Sequence, residues 1–139
     1  MEIPKHFLFE TLRTLDLPAA DFAIFGSGPM WARSIRESTD LDIVARGKAW
    51  EWATKNGVKE IKQNSGLECR HFAGKSIEIY GDWFPGEWSV DELIDTADIV
   101  DGIRFVNLAS VIEWKKRMGR EKDLNDLILI EEYQKKYPE

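Results

Sequence analysis

The sequence predicts an α/β domain built on a mixed β-sheet flanked by helices, with a helical C-terminal tail. Three observations carry this. Short apolar runs of strand length alternate with segments of helical spacing through the first half of the chain, a hairpin pattern occupies residues 67–80, and residues 108–137 keep helical spacing around a break at Gly119. Helices alternating with strands, with a hairpin among them, are the pattern of one sheet covered by helices. No repeat, linker or low-complexity tract interrupts the order, so residues 1–139 are expected to form a single domain.

Each element has its own signal. Phe7, Leu8, Leu12 and Leu15 recur at helical spacing over residues 5–15, and Asp16-Leu17-Pro18 closes that helix. Residues 22–25 form a strand and Gly26-Ser27-Gly28 a turn. Pro29 suits a first helical position, so a helix is predicted over 29–37. Residues 40–45 are a second strand and 48–56 a second helix, with Gly57 as its stop. Residues 67–72 and 75–80 pair as a hairpin through Ala73-Gly74. A loop rich in turn formers and aromatics then runs from Gly81 to Trp88. Ser89 opens a short helix with Glu92 at capping-box spacing, and residues 103–106 are a last strand.

Composition narrows the function classes. With 43% hydrophobic and 12% aromatic residues the chain can build a core, and a net charge of -6 disfavours a duplex nucleic acid as partner. The segment between Lys75 and Arg104 carries eight acidic residues and no Lys or Arg, a surface expected to repel nucleic acid. The one cysteine, Cys69, excludes an internal disulfide and, with no Cys/His cluster in the sequence, a Cys-based zinc site. His6 and His71 read as structural, and Cys69 as a strand core residue. The first residues lack the pattern of a signal peptide and no apolar run is of bilayer length. A cytoplasmic protein without a membrane partner is therefore expected.

Chemistry concentrates at Gly26-Ser27, followed after twelve residues by Asp40-Leu41-Asp42. Two carboxylates one residue apart on a strand point to the same face. Mg²⁺ takes oxygen ligands, usually one or two carboxylates together with substrate phosphates. The turn offers backbone N–H groups at Ser27 and Gly28, the Ser27 hydroxyl and the start of a helix, all of which favour an anion. A third carboxylate would complete a two-metal site. Glu78, between Ile77 and Ile79, is the candidate, and Asp82 the alternative.

These residues, with Ile43 after the acid pair and a later acid between apolar residues, resemble the signature of the DNA polymerase beta-type nucleotidyltransferase superfamily, especially its minimal members. The resemblance runs from about Asp21 to Tyr133. It implies a nucleotidyltransferase-like fold and transfer of a nucleoside monophosphate from an NTP, ATP among them, to an acceptor hydroxyl. Asp40, Asp42 and Glu78 are then the catalytic and metal-binding acids, with two Mg²⁺ ions in an active enzyme. Gly26, Ser27 and Gly28 hold the nucleotide's phosphates. Arg33 falls where minimal members carry a basic residue near the phosphates, and the stretch from Trp114 to Asp126 resembles their C-terminal helix junction, with Lys122 facing substrate.

Several alternatives stand beside this. A catalytically inactive nucleotide-binding or protein-interaction module on the same fold, of the toxin and antitoxin kind, would keep the same residues. A dinucleotide fold is opposed by Trp31 at the third glycine position, and a Walker loop by the missing Gly-Lys-Ser/Thr. Either Arg33 or Arg36 could reach phosphates. Trp83 and Trp88 are placed to stack on a base or acceptor, and the acceptor itself is open among a small molecule, a protein and a tRNA end.

Overall fold

The computed structural model describes residues 3–138. Its centre is the antiparallel pair β1 (Phe22–Phe25) and β2 (Leu41–Ala45). β5 (Ile77–Tyr80) runs parallel to β2, and β7 (Ile103–Phe105) parallel to β1. Antiparallel β4 (Glu68–Phe72) and β3 (Val58–Ile61) extend one side, and β6 (Asp98–Val100) the other, giving a seven-stranded mixed sheet in the order β3-β4-β5-β2-β1-β7-β6. Among the described residues no helix is long and apolar enough to cross a membrane.

The sheet is covered on both faces, which is why β1 reads as an unbroken apolar run. Phe22 and Ile24 pack with Leu8, Phe9 and Leu12 of α1 (Phe7–Thr14) and with Ala49 and Ala53 of α3 (Gly47–Asn56). Ala23 and Phe25 point the other way. They meet Leu93 and Ile94 of α4 (Val90–Asp95), Val111 and Trp114 of α5 (Leu108–Met118), and Ile130 of α6 (Glu121–Lys136). Each large side chain so buried contributes roughly 1.5–3 kcal/mol.

This alternation decides where the carboxylates go. Leu41, Ile43, Ile77 and Ile79 all belong to the first layer, so Asp42 and Glu78 face the second, and the parallel register sets them directly beside each other. Val44 and Tyr80, the next residues on that face, are already in the apolar layer. The two acids therefore stand where that layer ends, at the start of β2 and β5.

Three local differences from the sequence expectations have physical causes. α2 covers only Gly28–Ala32, not residues 29–37. Ser34 takes φ 58, and Ile35 N–H and Ser34 N–H donate back to the carbonyls of Met30 and Trp31, a Schellman closure made without glycine. Gly57 does not stop α3 through left-handed backbone, since its φ is -96. A Cβ there would lie 2.7 Å from Arg70 Cβ and 2.8 Å from the Phe72 ring, so the position is small because the hairpin presses on it. β3 and β6 carry no strand signal in the sequence. Both are edge strands of three or four residues, with Val58, Ile61 and Ile99 exposed, so neither carries an inward apolar alternation to recognise.

Gly28 supports the turn from below. A Cβ on it would collide with Ile24 Cγ2 in the middle of β1. Gly28→Ala is therefore expected to destabilise the fold by about 1–3 kcal/mol in urea unfolding, as overpacked cores do. A variant as stable as the parent would contradict this packing.

Candidate functional site

A cavity of about 430 Å³ opens at the end of the second face, between the sheet and the α5–α6 junction. On the sheet side it is lined by Gly26, Ser27, Asp40, Asp42, Glu78 and Tyr80. On the helical side it is lined by Trp114, Lys115, Met118, Arg120, Lys122, Asp123 and Asp126. Arg36 and the loop after β3, including Lys62, close its flanks.

The sheet side is acidic. Gly26 has φ +59 and lies so close to Asp42 that a Cβ would sit 2.9 Å from Oδ2, so glycine is required both for backbone and for space. Asp42 is half-buried, and its carboxyl is pushed up to about 7, by burial first and then by Asp40 and Glu78; Lys62 and Lys122 act against this. Asp40 is exposed and immediately precedes β2. Glu78 is held by Lys62 Nζ at 2.7 Å, by the Tyr80 hydroxyl at 3.2 Å and by the Cys69 thiol at 3.6 Å. Asp82 is exposed, accepts the Trp83 N–H of its own loop, and does not line the cavity. Of the two acids left open by sequence, Glu78 is the one at the site.

The helical side is cationic around two buried carboxylates. Asp126 takes a two-pronged pair from Arg36, Nε at 2.7 Å and one terminal nitrogen at 2.8 Å, and a third bond from Lys115 Nζ at 2.8 Å. Burial works against the Asp126 charge, but the hydrogen bonds from Arg36 and Lys115 hold its carboxyl below the usual range. Burial pushes the Lys115 amine down, with Asp126 and Asp123 opposing. Arg120 pairs with Asp123 through Nε at 2.6 Å and completes a capping box at the start of α6. The same Arg36 donates to the Ser27 hydroxyl at 2.7 Å, tying the turn to the helical wall.

Of the phosphate-binding residues expected from sequence, Gly26, Ser27 and Lys122 line the cavity; Gly28 and Arg33 do not. Gly28 is buried against Ile24, and Arg33 caps the Pro29 carbonyl and pairs with Asp98. The Schellman closure at Ser34 ends α2 early and leaves Arg36 beyond the helix, where it lines the cavity and Arg33 does not. Lys115, Asp123 and Asp126 were visible only as part of the helix-junction resemblance, and Lys62 carried no signal at all.

Other expectations also change. Trp83 is 7% exposed and stacked on Phe25 at 4.6 Å, with an edge still lining the cavity, while Trp88 packs edge-on to Phe25 under the Arg117 guanidinium and does not line it. The acidic stretch before Arg104 is partly neutralised by arginines from earlier in the chain. Arg46 pairs with Asp91 and Asp95, Arg33 with Asp98, and Arg13 with Asp101. Nor is Cys69 isolated: Glu60, Cys69, His71 and Glu78 bring one ligand atom each within 4.8 Å of one another, a Cys/His cluster made by strand pairing where the sequence showed none. Among the described residues Asp40, Asp42 and Glu78 do not converge that closely as a set.

The Asp42 shift has a sign that can be tested. A raised folded-state pKa means the carboxyl costs nothing below its unfolded value of 3.8; the cost grows as pH rises to about 7 and is constant above. Asp42→Asn should therefore gain on the parent between pH 4 and pH 7 and hold that gain at pH 8. Three units correspond to at most about 4 kcal/mol, less where solvent in the cavity screens the charge. Parallel stability profiles for the two proteins would show that Asp42 is not destabilised in its charged form. No protein-family model matches the chain, and neither does any curated protein or solved structure.

Proposed function

We propose that this chain is a minimal nucleotidyltransferase-like domain that binds a nucleoside triphosphate with Mg²⁺ and moves its nucleoside monophosphate to an acceptor hydroxyl. The observation that carries the proposal is the two-sided charge of one cavity. Asp40, Asp42 and Glu78 stand on the sheet wall, and Lys122 stands opposite, beside Arg36, Lys115 and Arg120 gathered around the buried Asp123 and Asp126. A metal-bound polyphosphate has the same division of charge, cation toward the carboxylates and phosphate oxygens toward the bases. A neutral ligand would leave Asp42 uncompensated, and a plain anion would worsen its position.

The donor set suits Mg²⁺. Asp40 and Asp42 offer oxygen alone, and the Asp42 carboxyl, lifted to about 7 by burial and then by Asp40 and Glu78, is one that a bound cation would relieve. When bound, the ion supplies neutralisation of phosphate charge during displacement. Ser27 and Arg36 orient the phosphates from the turn, and Lys122 reaches them from the rim. In the transfer, the acceptor oxygen bonds to the α-phosphorus while the bond to the pyrophosphate oxygen breaks. The acceptor's proton passes to a carboxylate, a role for Glu78.

One observation favours a second reading, a nucleotide-binding module without transfer. Glu78 is engaged by Lys62, Tyr80 and Cys69, so its release must precede any role as proton acceptor. Transfer of label from an α-labelled NTP to acceptors in a lysate separates the two.

Calorimetry with ATP, GTP, CTP and UTP tests what both share. Binding is expected only with Mg²⁺ and should vanish in the folded Asp40→Asn, Asp42→Asn double variant. Lys122→Ala, at an exposed position, should weaken binding about tenfold, the worth of one charge-assisted hydrogen bond. Binding that ignores both the metal and the double substitution would overturn the proposal.

A further inference from the structure

β3, β4 and β5 bring four metal-ligating side chains to one face of the sheet. In the register, Glu60 lies opposite Cys69, and His71 opposite Glu78. Cys69 and His71 are two residues apart on β4 and so share that face. The Cys69 sulfur is 3.6 Å from Glu78 Oε2 and 4.0 Å from His71 Nε2, and His71 Nδ1 is 3.7 Å from Glu78 Oε2. Glu60 contacts His71 Nε2 directly. Tetrahedral bonds of about 2.0–2.3 Å to zinc set ligand atoms roughly 3.3–3.8 Å apart; the Cys69–Glu78 and His71 Nδ1–Glu78 separations already fall in that range, whereas Glu60, now on His71 Nε2, must leave that nitrogen to reach an ion held by Nδ1.

A second observation points the same way. The His71 side chain is 4% exposed, and its Nδ1 is buried with no hydrogen-bond partner. A buried ring nitrogen left without a partner costs about 1–3 kcal/mol unless something satisfies it. Here it faces a carboxylate beside a thiol. We infer that Glu60, Cys69, His71 and Glu78 form a site for a borderline-soft divalent cation, Zn²⁺ in the first instance, distinct from the carboxylate pair at Asp40 and Asp42. The mixture of sulfur, imidazole and carboxylate selects Zn²⁺ over Mg²⁺, which takes oxygen alone.

The site has an internal competitor. Lys62 Nζ lies 2.7 Å from Glu78 Oε2 and 3.7 Å from Glu60 Oε1, so its ammonium competes with a cation for the two carboxylates. Lys62 is on the loop after β3 and 28% of its side chain reaches solvent, so it can swing out as the cation enters. Without a cation, burial and Glu78 push the Cys69 thiol up to about 11; binding displaces that proton to solvent and leaves the thiolate on the metal. The inference shares Glu78 with the nucleotide proposal but needs neither Asp40 nor Asp42 as a ligand.

The test uses the full chain, freed of metal by a chelator and titrated with Co²⁺ and Zn²⁺ in the absence of nucleotide. Co²⁺ is expected to give the near-ultraviolet thiolate-to-metal band and the visible bands of a tetrahedral ion at one equivalent, and Zn²⁺ to displace it. Cys69→Ser should remove the thiolate band. Lys62→Met, a partly exposed position, should tighten Zn²⁺ binding about tenfold by removing the competing charge. The Asp40→Asn, Asp42→Asn variant should bind Zn²⁺ as the parent does. Absence of the thiolate band in the parent protein, or loss of Zn²⁺ binding in the Asp40 and Asp42 variant, would overturn the inference, whatever the outcome with nucleotides.

Discussion

Asp126 is 4% exposed and accepts hydrogen bonds from Arg36, ninety residues earlier, and from Lys115 on the adjoining helix. A carboxylate at that depth is tolerated only while those partners stay, and removing one side of such a group typically costs about 3–5 kcal/mol. Arg36 in turn holds the Ser27 hydroxyl, and Lys115 stands 3.8 Å from Asp123, which anchors Arg120. One buried anion therefore fixes the α5–α6 junction against the glycine turn after β1. Without it the cavity would have an acidic floor and no opposing wall.

The charges in that cavity are balanced in kind but not in position. Five acids and five bases line it, yet Asp123 and Asp126 consume three of the bases at the helical wall, and Lys62 is drawn to Glu78. Asp42 is left with Lys122 and Lys62 acting from a distance, against burial and two neighbouring carboxylates. This local deficit is the reason to propose a cation there, and it arises from packing: Asp42 must share its face of β2 with Val44, and Gly26 closes over it. A site that is strained in its charged form and relieved by a ligand is the usual signature of function over stability.

Much of the fold could be read from local pattern. β1 is called by its four consecutive apolar residues, α5 ends at Gly119 in the left-handed conformation that a stop requires, and Ser89 caps Glu92 as its spacing implies. That Glu78 and not Asp82 lines the cavity also has a local basis, since flanking isoleucines fix which face Glu78 takes. What failed depended on partners distant in sequence. Arg36 and not Arg33 meets Asp126, ninety residues on, because α2 closes at Ser34 through backbone bonds that no glycine announces. Cys69 and His71 looked solitary because their companions lie on two other strands, one of them an exposed edge without recognisable periodicity. Register, not composition, makes that cluster.

Glu78 then becomes the residue on which the two proposed sites meet. It is the registered neighbour of Asp42 on one side and of His71 on the other, and it has a single carboxylate to give. Lys62 holds it at 2.7 Å. A soft cation among Glu60, Cys69 and His71 would keep Glu78 turned away from the cavity; Mg²⁺ and a polyphosphate beside Asp42 would draw it, or Lys62, the other way. The two cations differ in the donors they accept, so occupancy of one site is not occupancy of the other, but each acts on the same side chain. Coupling between them requires no movement of the backbone, only a choice of partner by one carboxylate and one ammonium.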